Sequence, residues 1–79
     1  MQAGAQNGEF LYRHFDADGR LLYVGVSNNV ERRLIQHHRD SPWASEIASV
    51  VSEPMETREC ALIAERAAIE AEKPIHNST

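Results

Sequence analysis

Glu65 breaks the pattern of its own segment. It lies three residues after Leu62 and four before Ile69, on the stripe of a helical repeat that should face a core. A carboxylate there must be paired, protonated or bound to a metal, because burying it bare is costly. An arginine at the edge of the stripe would satisfy it as well as a cation would. Arg33 and His37 are four residues apart and project from one face of a helix. A guanidinium can hold a phosphate by two parallel hydrogen bonds and stays charged at any working pH. A solvated basic face is the plainer use of such residues, and Arg32 fits that description. Tyr12 and Tyr23 read first as half-buried sheet aromatics. A phenol near an arginine or a metal can nevertheless have its pKa lowered, and could then accept a proton from water. Gly25 permits close backbone approach at a strand end. Ser27 and Asn28 are read as capping residues, His14, His38 and Cys60 as structural or surface residues, and Trp43 as a core plug.

The elements that must position these side chains can be read from the pattern around them. Phe10 to Phe15 and Leu21 to Val26 flank Asp16-Ala17-Asp18-Gly19, whose acids and glycine suit a tight turn. With residues 16–19 as a four-residue loop, Phe15 would pair with Arg20, Tyr12 with Tyr23 and Phe10 with Gly25. Asn28 is the expected N-cap of a helix over Val30 to Arg39, with Glu31 completing a capping box. Asp40-Ser41-Pro42 ends that helix. A short helical turn at Trp43 to Glu46 and a strand through Ser49, Val50 and Val51 follow, closed by Pro54. Thr57 caps a last helix that runs to about Glu72, with Ala61, Leu62, Ala68 and Ile69 as its apolar side. Lys73-Pro74 stops it and leaves Ile75, His76 and Asn77 as an extended tail. Residues 1–8 read as a frayed tail, and 9–79 as a single domain.

Composition bounds what such a domain can be. A chain of 79 residues, 42% hydrophobic and 25% charged, is expected to fold around one small core. It contains no apolar run near the ~20 residues that span a bilayer, and Met1 to Gly8 lacks the pattern of a signal peptide. The single cysteine, Cys60, excludes an internal disulfide and a cysteine zinc framework, and suggests a reducing cytoplasm. Eight Lys and Arg against twelve Asp and Glu give a net charge of −4, which argues against strong non-specific binding to nucleic acid. The first 41 residues are neutral, with five arginines against five acids, so an anion site belongs in that half.

Taken in order, Phe10-Leu11-Tyr12, Tyr23-Val24-Gly25, Arg33, His37, Glu65 and Asn77 resemble the motif set of the GIY-YIG nuclease family. The resemblance spans residues 10–77. Arg33 falls eight residues after Gly25, Glu65 stands in Glu-Arg-Ala-Ala-Ile, and Lys73-Pro74-Ile75-His76-Asn77 is similar to the C-terminal motif. The first triplet lacks the family's glycine and isoleucine, and the 28 positions from His37 to Glu65 make this a compact member. The resemblance implies an α+β fold, a three-stranded antiparallel sheet flanked by helices. It further implies a metal-dependent endonuclease that hydrolyses nucleic-acid phosphodiesters, with DNA as the expected substrate and one Mg²⁺ or Mn²⁺ ion as cofactor. Glu65 would then hold the metal, Arg33 clamp the scissile phosphate, and Tyr12 serve as general base. Tyr23 would orient the same water or exchange roles with Tyr12, and His37 would assist proton transfer or contact phosphate. Gly25, Arg32 and Asn77 are expected at the substrate, Asn77 by fixing the wall of the site. Targeting is expected to come from a protein partner or a homodimer, with no membrane involved. The alternatives are a non-catalytic nucleic-acid-binding or protein-interaction module on the same scaffold, and a structural domain in which Arg33 and Glu65 form an internal ion pair.

Overall fold

The computed structural model describes residues 8–77, so apart from Gly8 the expected tail at 1–8 lies outside the described residues. Strands β1 (Glu9–Phe15), β2 (Leu21–Ser27) and β3 (Ser49–Met55) form one antiparallel sheet in the order β2-β1-β3. Helix α1 (Val30–Asp40) and a 3₁₀ turn (Ala44–Glu46) connect β2 to β3, and helix α2 (Arg58–Glu72) follows β3. This is the α+β architecture expected from the sequence.

The hairpin forms where the sequence places it, but its register differs by two residues. Tyr12 pairs with Gly25 and His14 with Tyr23, whereas Tyr12 was expected opposite Tyr23. The cause is the Asp16 carboxylate. Its Oδ1 accepts from the backbone N–H of Asp18 at 2.9 Å and of Arg20 at 2.8 Å, which draws Arg20 into the turn. Gly19 takes the left-handed conformation (φ 82°) that this turn requires. Phe15 then faces Leu21, and the register shifts between His14 and Phe15 to leave Leu22 as an extra residue on β2. A displacement of two preserves the face of every side chain, so Tyr12 and Tyr23 remain on one side as diagonal neighbours.

The two faces of the sheet have different coverings. On one, Leu11 and Val24 pack against Ala68, with Ala64, Ile69 and Met55 around them. Alanines at 61, 64 and 68 let α2 lie close to the strands, and Ala61 is fully buried. That rotation turns Leu62 outward (43% exposed), contrary to its expected place in the core. On the other face, Tyr12 and His14 are buried beneath α1, whose only buried residue is His37.

Three boundaries also depart from expectation. The N-cap of α1 is Asn29 rather than Asn28; its side chain accepts from the Arg32 N–H at 3.1 Å, so the third helical residue is Arg32 and no capping box with Glu31 forms. Pro54 lies inside β3 instead of closing it. This strand pairs on one side only, so the N–H that proline lacks is not needed by the ladder. Residues 75–77 form a turn fastened along the outer edge of β2, not a loose tail. Lys73 reverses the chain in the left-handed conformation (φ 50°). The N–H groups of Ile75 and His76 then donate to the carbonyls of Leu21 and Leu22. The Asn77 amide grips both backbone groups of Val24, accepting from its N–H at 2.7 Å and donating to its carbonyl at 2.9 Å. Asn77 acts here as one more residue of strand.

Loss of both bonds in Asn77→Ala is expected to cost about 2 kcal/mol, since a net hydrogen bond contributes roughly 1 kcal/mol. In a domain of this size that lowers the melting temperature by roughly 10 °C, measurable by thermal circular dichroism.

Candidate active site

The site is built on the face covered by α1. The Tyr12 phenol runs across β2 at Gly25, where there is no side chain to stop it. A Cβ at position 25 would lie 2.5 Å from the phenol Cζ. Gly25 is thus buried under Tyr12. The phenol hydroxyl ends 3.0 Å from Nε2 of His37, which reaches down from the third turn of α1. Nδ1 of the same ring lies 3.1 Å from Oγ of Ser41.

Aromatic rings hold this pair in place. His37 stands edge-on to Tyr23 with centroids 4.8 Å apart and to His14 at 5.1 Å. Trp43 stacks on Tyr23 at 5.3 Å and on His76 at 4.9 Å, forming a half-buried wall and not the core plug expected of it. His14 is fully buried, and among the described residues neither ring nitrogen has a hydrogen-bond partner. Its chemistry was missed in the sequence, although its position two residues after Tyr12 on the same strand face is the signal that locates it.

Burial decides the protonation states. It pushes the Tyr12 phenol above the ordinary phenol range, with Tyr23 and Glu65 adding to the rise, while the Arg33 guanidinium beside the hydroxyl opposes it. The lowered phenol pKa expected near an arginine is therefore reversed, because desolvation outweighs the neighbouring cation. His37 moves the other way, held below the ordinary imidazole range by burial and by Arg33. The resting pair is a neutral phenol against a neutral imidazole.

Arg33 and Glu65 both bear on Tyr12, and among the described residues neither forms an ion pair. Among the described residues, the Arg33 guanidinium donates to the Gln36 side chain, at 3.0 Å. Half-burial pushes the Glu65 carboxyl up, with Arg58 opposing more weakly. Glu65 opens onto a surface hollow of about 310 Å³ beside Leu62, Arg66 and Ile69. A larger hollow of about 590 Å³, on the outer flank of α2, contains none of the motif residues. No three His, Cys, Asp or Glu side chains gather as a metal cluster among the described residues. A lone, poorly solvated and unpaired carboxylate suits a hard divalent ion that keeps most of its shell as water. Arg32 is exposed on α1. Asn77 has its amide occupied by Val24, so it supports the β2 edge.

The sequence profile of the GIY-YIG catalytic domain matches residues 9–78. The chain belongs to the GIY-YIG family. Among similar proteins, the UvrABC system protein C of Ectopseudomonas mendocina (strain ymp) is 45% identical over 42 residues, 53% of this chain and 7% of that protein. That of Pseudomonas aeruginosa (strain LESB58) is 40% identical over 50 residues, 63% of this chain and 8% of that protein. The matched segment thus spans less than a tenth of the length of these relatives.

The unpartnered His14 of this GIY-YIG domain makes stability depend on pH. Its imidazole is pushed down from 6.5 to about 4, by burial first and then by His37, His38 and Arg33. Between those values the unfolded chain binds a proton that the folded chain refuses. The contribution is therefore complete above about pH 6.5 and is lost as the pH falls toward 4. His37 acts in the same sense and Glu65 in the opposite one, and both remain in a His14→Phe variant. Melting temperatures followed downward from about pH 7 should fall less steeply in His14→Phe than in the wild type; parallel curves would refute the assignment.

Proposed function

We propose that this GIY-YIG domain is an endonuclease that hydrolyses DNA phosphodiesters with one divalent cation, Mg²⁺ or Mn²⁺. The observation that carries the reading is the buried Tyr12–His37 hydrogen bond at 3.0 Å, whose phenol feels the charges of Arg33 and of the half-buried Glu65, neither of which forms an ion pair among the described residues. An internal Arg33–Glu65 ion pair would have favoured a purely structural domain, and none is present among the described residues.

Glu65 would hold the cation, which when bound stabilises charge on the phosphate and the leaving oxygen. Arg33 grips the scissile phosphate and the charge that develops on it. The Tyr12 oxygen takes a proton from the attacking water as its own proton passes to Nε2 of His37, so the buried phenolate never has to persist. Tyr23 lies beside both rings, 6.1 Å from Tyr12 and 4.8 Å from His37 between centroids, and lines the approach of that water. Arg32 and Arg39 on α1 carry no ion pair among the described residues and extend the cationic surface along the DNA backbone. This basic face is small in a chain of net charge −4, which supports targeting by a protein partner or a second copy. Among the described residues no helix is long and apolar enough to cross a membrane. The single exposed Cys60 fits a reducing cytoplasm.

Labelled single-stranded, duplex and branched DNA, each with Mg²⁺, Mn²⁺ or EDTA, provides the test. Cleavage should require the metal, and DNA retention without cleavage would leave a binding module. Glu65→Gln should abolish cleavage while keeping or raising the melting temperature, since its ionised form is disfavoured by burial. Arg33→Ala should lower the cleavage rate by ~10²–10³-fold, the usual cost of one preorganised charge-stabilising group.

A further inference from the structure

A neutral imidazole carries its proton on one nitrogen only, so the direction of the Tyr12–His37 bond depends on what faces the other nitrogen. That group is the Ser41 hydroxyl, 3.1 Å from Nδ1. Ser41 is the C-cap of α1, and its backbone N–H already serves the helix end by donating to the His37 carbonyl at 2.8 Å. The side chain is therefore not needed as a cap. Pro42 excludes helical geometry at the preceding residue, and Ser41 accordingly is extended (φ −104°, ψ 123°). In that conformation its hydroxyl lies against the His37 ring.

The far end of the chain of bonds sets its polarity. The Tyr12 phenol is buried, so its proton must find an acceptor within the protein. His37 Nε2 is the single hydrogen-bond partner of the Tyr12 hydroxyl among the described residues, so the phenol proton goes there. Were Nε2 protonated, the buried phenol proton would have no acceptor among the described residues, whereas the half-buried Ser41 hydroxyl can turn its own proton toward water. With Nε2 accepting, Nδ1 carries the hydrogen and Ser41 Oγ must receive it.

We infer that Ser41 is a positioning residue, which holds His37 as the Nδ1–H tautomer and so presents the Nε2 lone pair to Tyr12. The inference rests on the nuclease reading for its effect on rate, but the tautomer itself is a property of the protein alone. Ser41 acts through the imidazole of His37. It orients the imidazole as an outer hydrogen-bond partner orients a reacting histidine, where loss of the partner typically costs about 10–100-fold in activity.

Two-bond ¹H–¹⁵N spectra of the histidine rings in the full chain test this directly. The wild type should show His37 protonated on Nδ1 with Nε2 free; protonation on Nε2 would overturn the inference. Ser41→Ala should lose that single tautomer, and kcat for cleavage of labelled duplex DNA with Mg²⁺ should fall about 10–100-fold at nearly unchanged KM. Ser41→Thr, which keeps the hydroxyl, should restore both. An alanine variant with wild-type tautomer and kcat would also overturn it. Absence of cleavage by the wild type would refute the nuclease reading, and the ring spectra would then decide the inference by themselves.

Discussion

A phenol hydroxyl taken out of water must find a partner, and the architecture of this domain follows from how Tyr12 finds its own. The ring can cross β2 because position 25 has no side chain. Its hydroxyl is then met by the one buried residue of α1, His37. That single bond ties the central strand to the helix that connects the two outer strands. It also requires that α1 end where it does, so that Ser41 can satisfy the other nitrogen of the imidazole. Trp43 and Tyr23 close the side of the pocket. A polar contact in a low-dielectric setting is expensive to leave incomplete, so these elements constrain one another.

Charge use separates scaffold from site. Arg13 is held by Glu72 through two bonds at 2.9 and 2.7 Å, Arg20 by Asp16 at 2.9 Å, and Arg58 by Glu9 at 3.0 Å. These pairs join strand to helix or close a turn, and they are exposed enough to contribute little individually. Arg33 has acids available in the chain, but among the described residues it forms no ion pair and donates to a neutral amide instead. Glu65 is likewise left without a counter-ion on a surface where burial disfavours its charged form. Leaving both unmatched is unfavourable for the isolated fold. The arrangement makes sense if the missing charges arrive together, a cation at Glu65 and an anion at Arg33.

Much of this was legible in the residues. Period-two runs on either side of Asp16-Ala17-Asp18-Gly19 located the hairpin, Thr57 marked the start of α2, and the order of the polar motif positions identified the family. Register was not legible, because it depends on which amides the Asp16 side chain selects, a choice among turns of nearly equal local quality. The expectation for Leu62 failed for a related reason. Helical spacing marks an apolar stripe, but the alanines at 61, 64 and 68 allow the closest approach to the sheet and turn the larger residue outward. The phenol pKa was misjudged in sign because the nearby arginine can be read from spacing, whereas the depth of burial cannot. Gly25 and Asn77 were recognised as special, yet their partners, Tyr12 and Val24, emerge only from the folded arrangement.

The alanine seam beneath α2 has a consequence for how such a domain can diverge. Because the helix rests on methyl groups, its stand-off from the strands is near the minimum that side chains permit, and Glu65 rides on the same rigid rod between Ala61 and Ala68. Any bulkier residue in the seam would act as a wedge, shifting the carboxylate without touching it. Sites remote from the chemistry are thereby placed under the same selection as the chemistry itself.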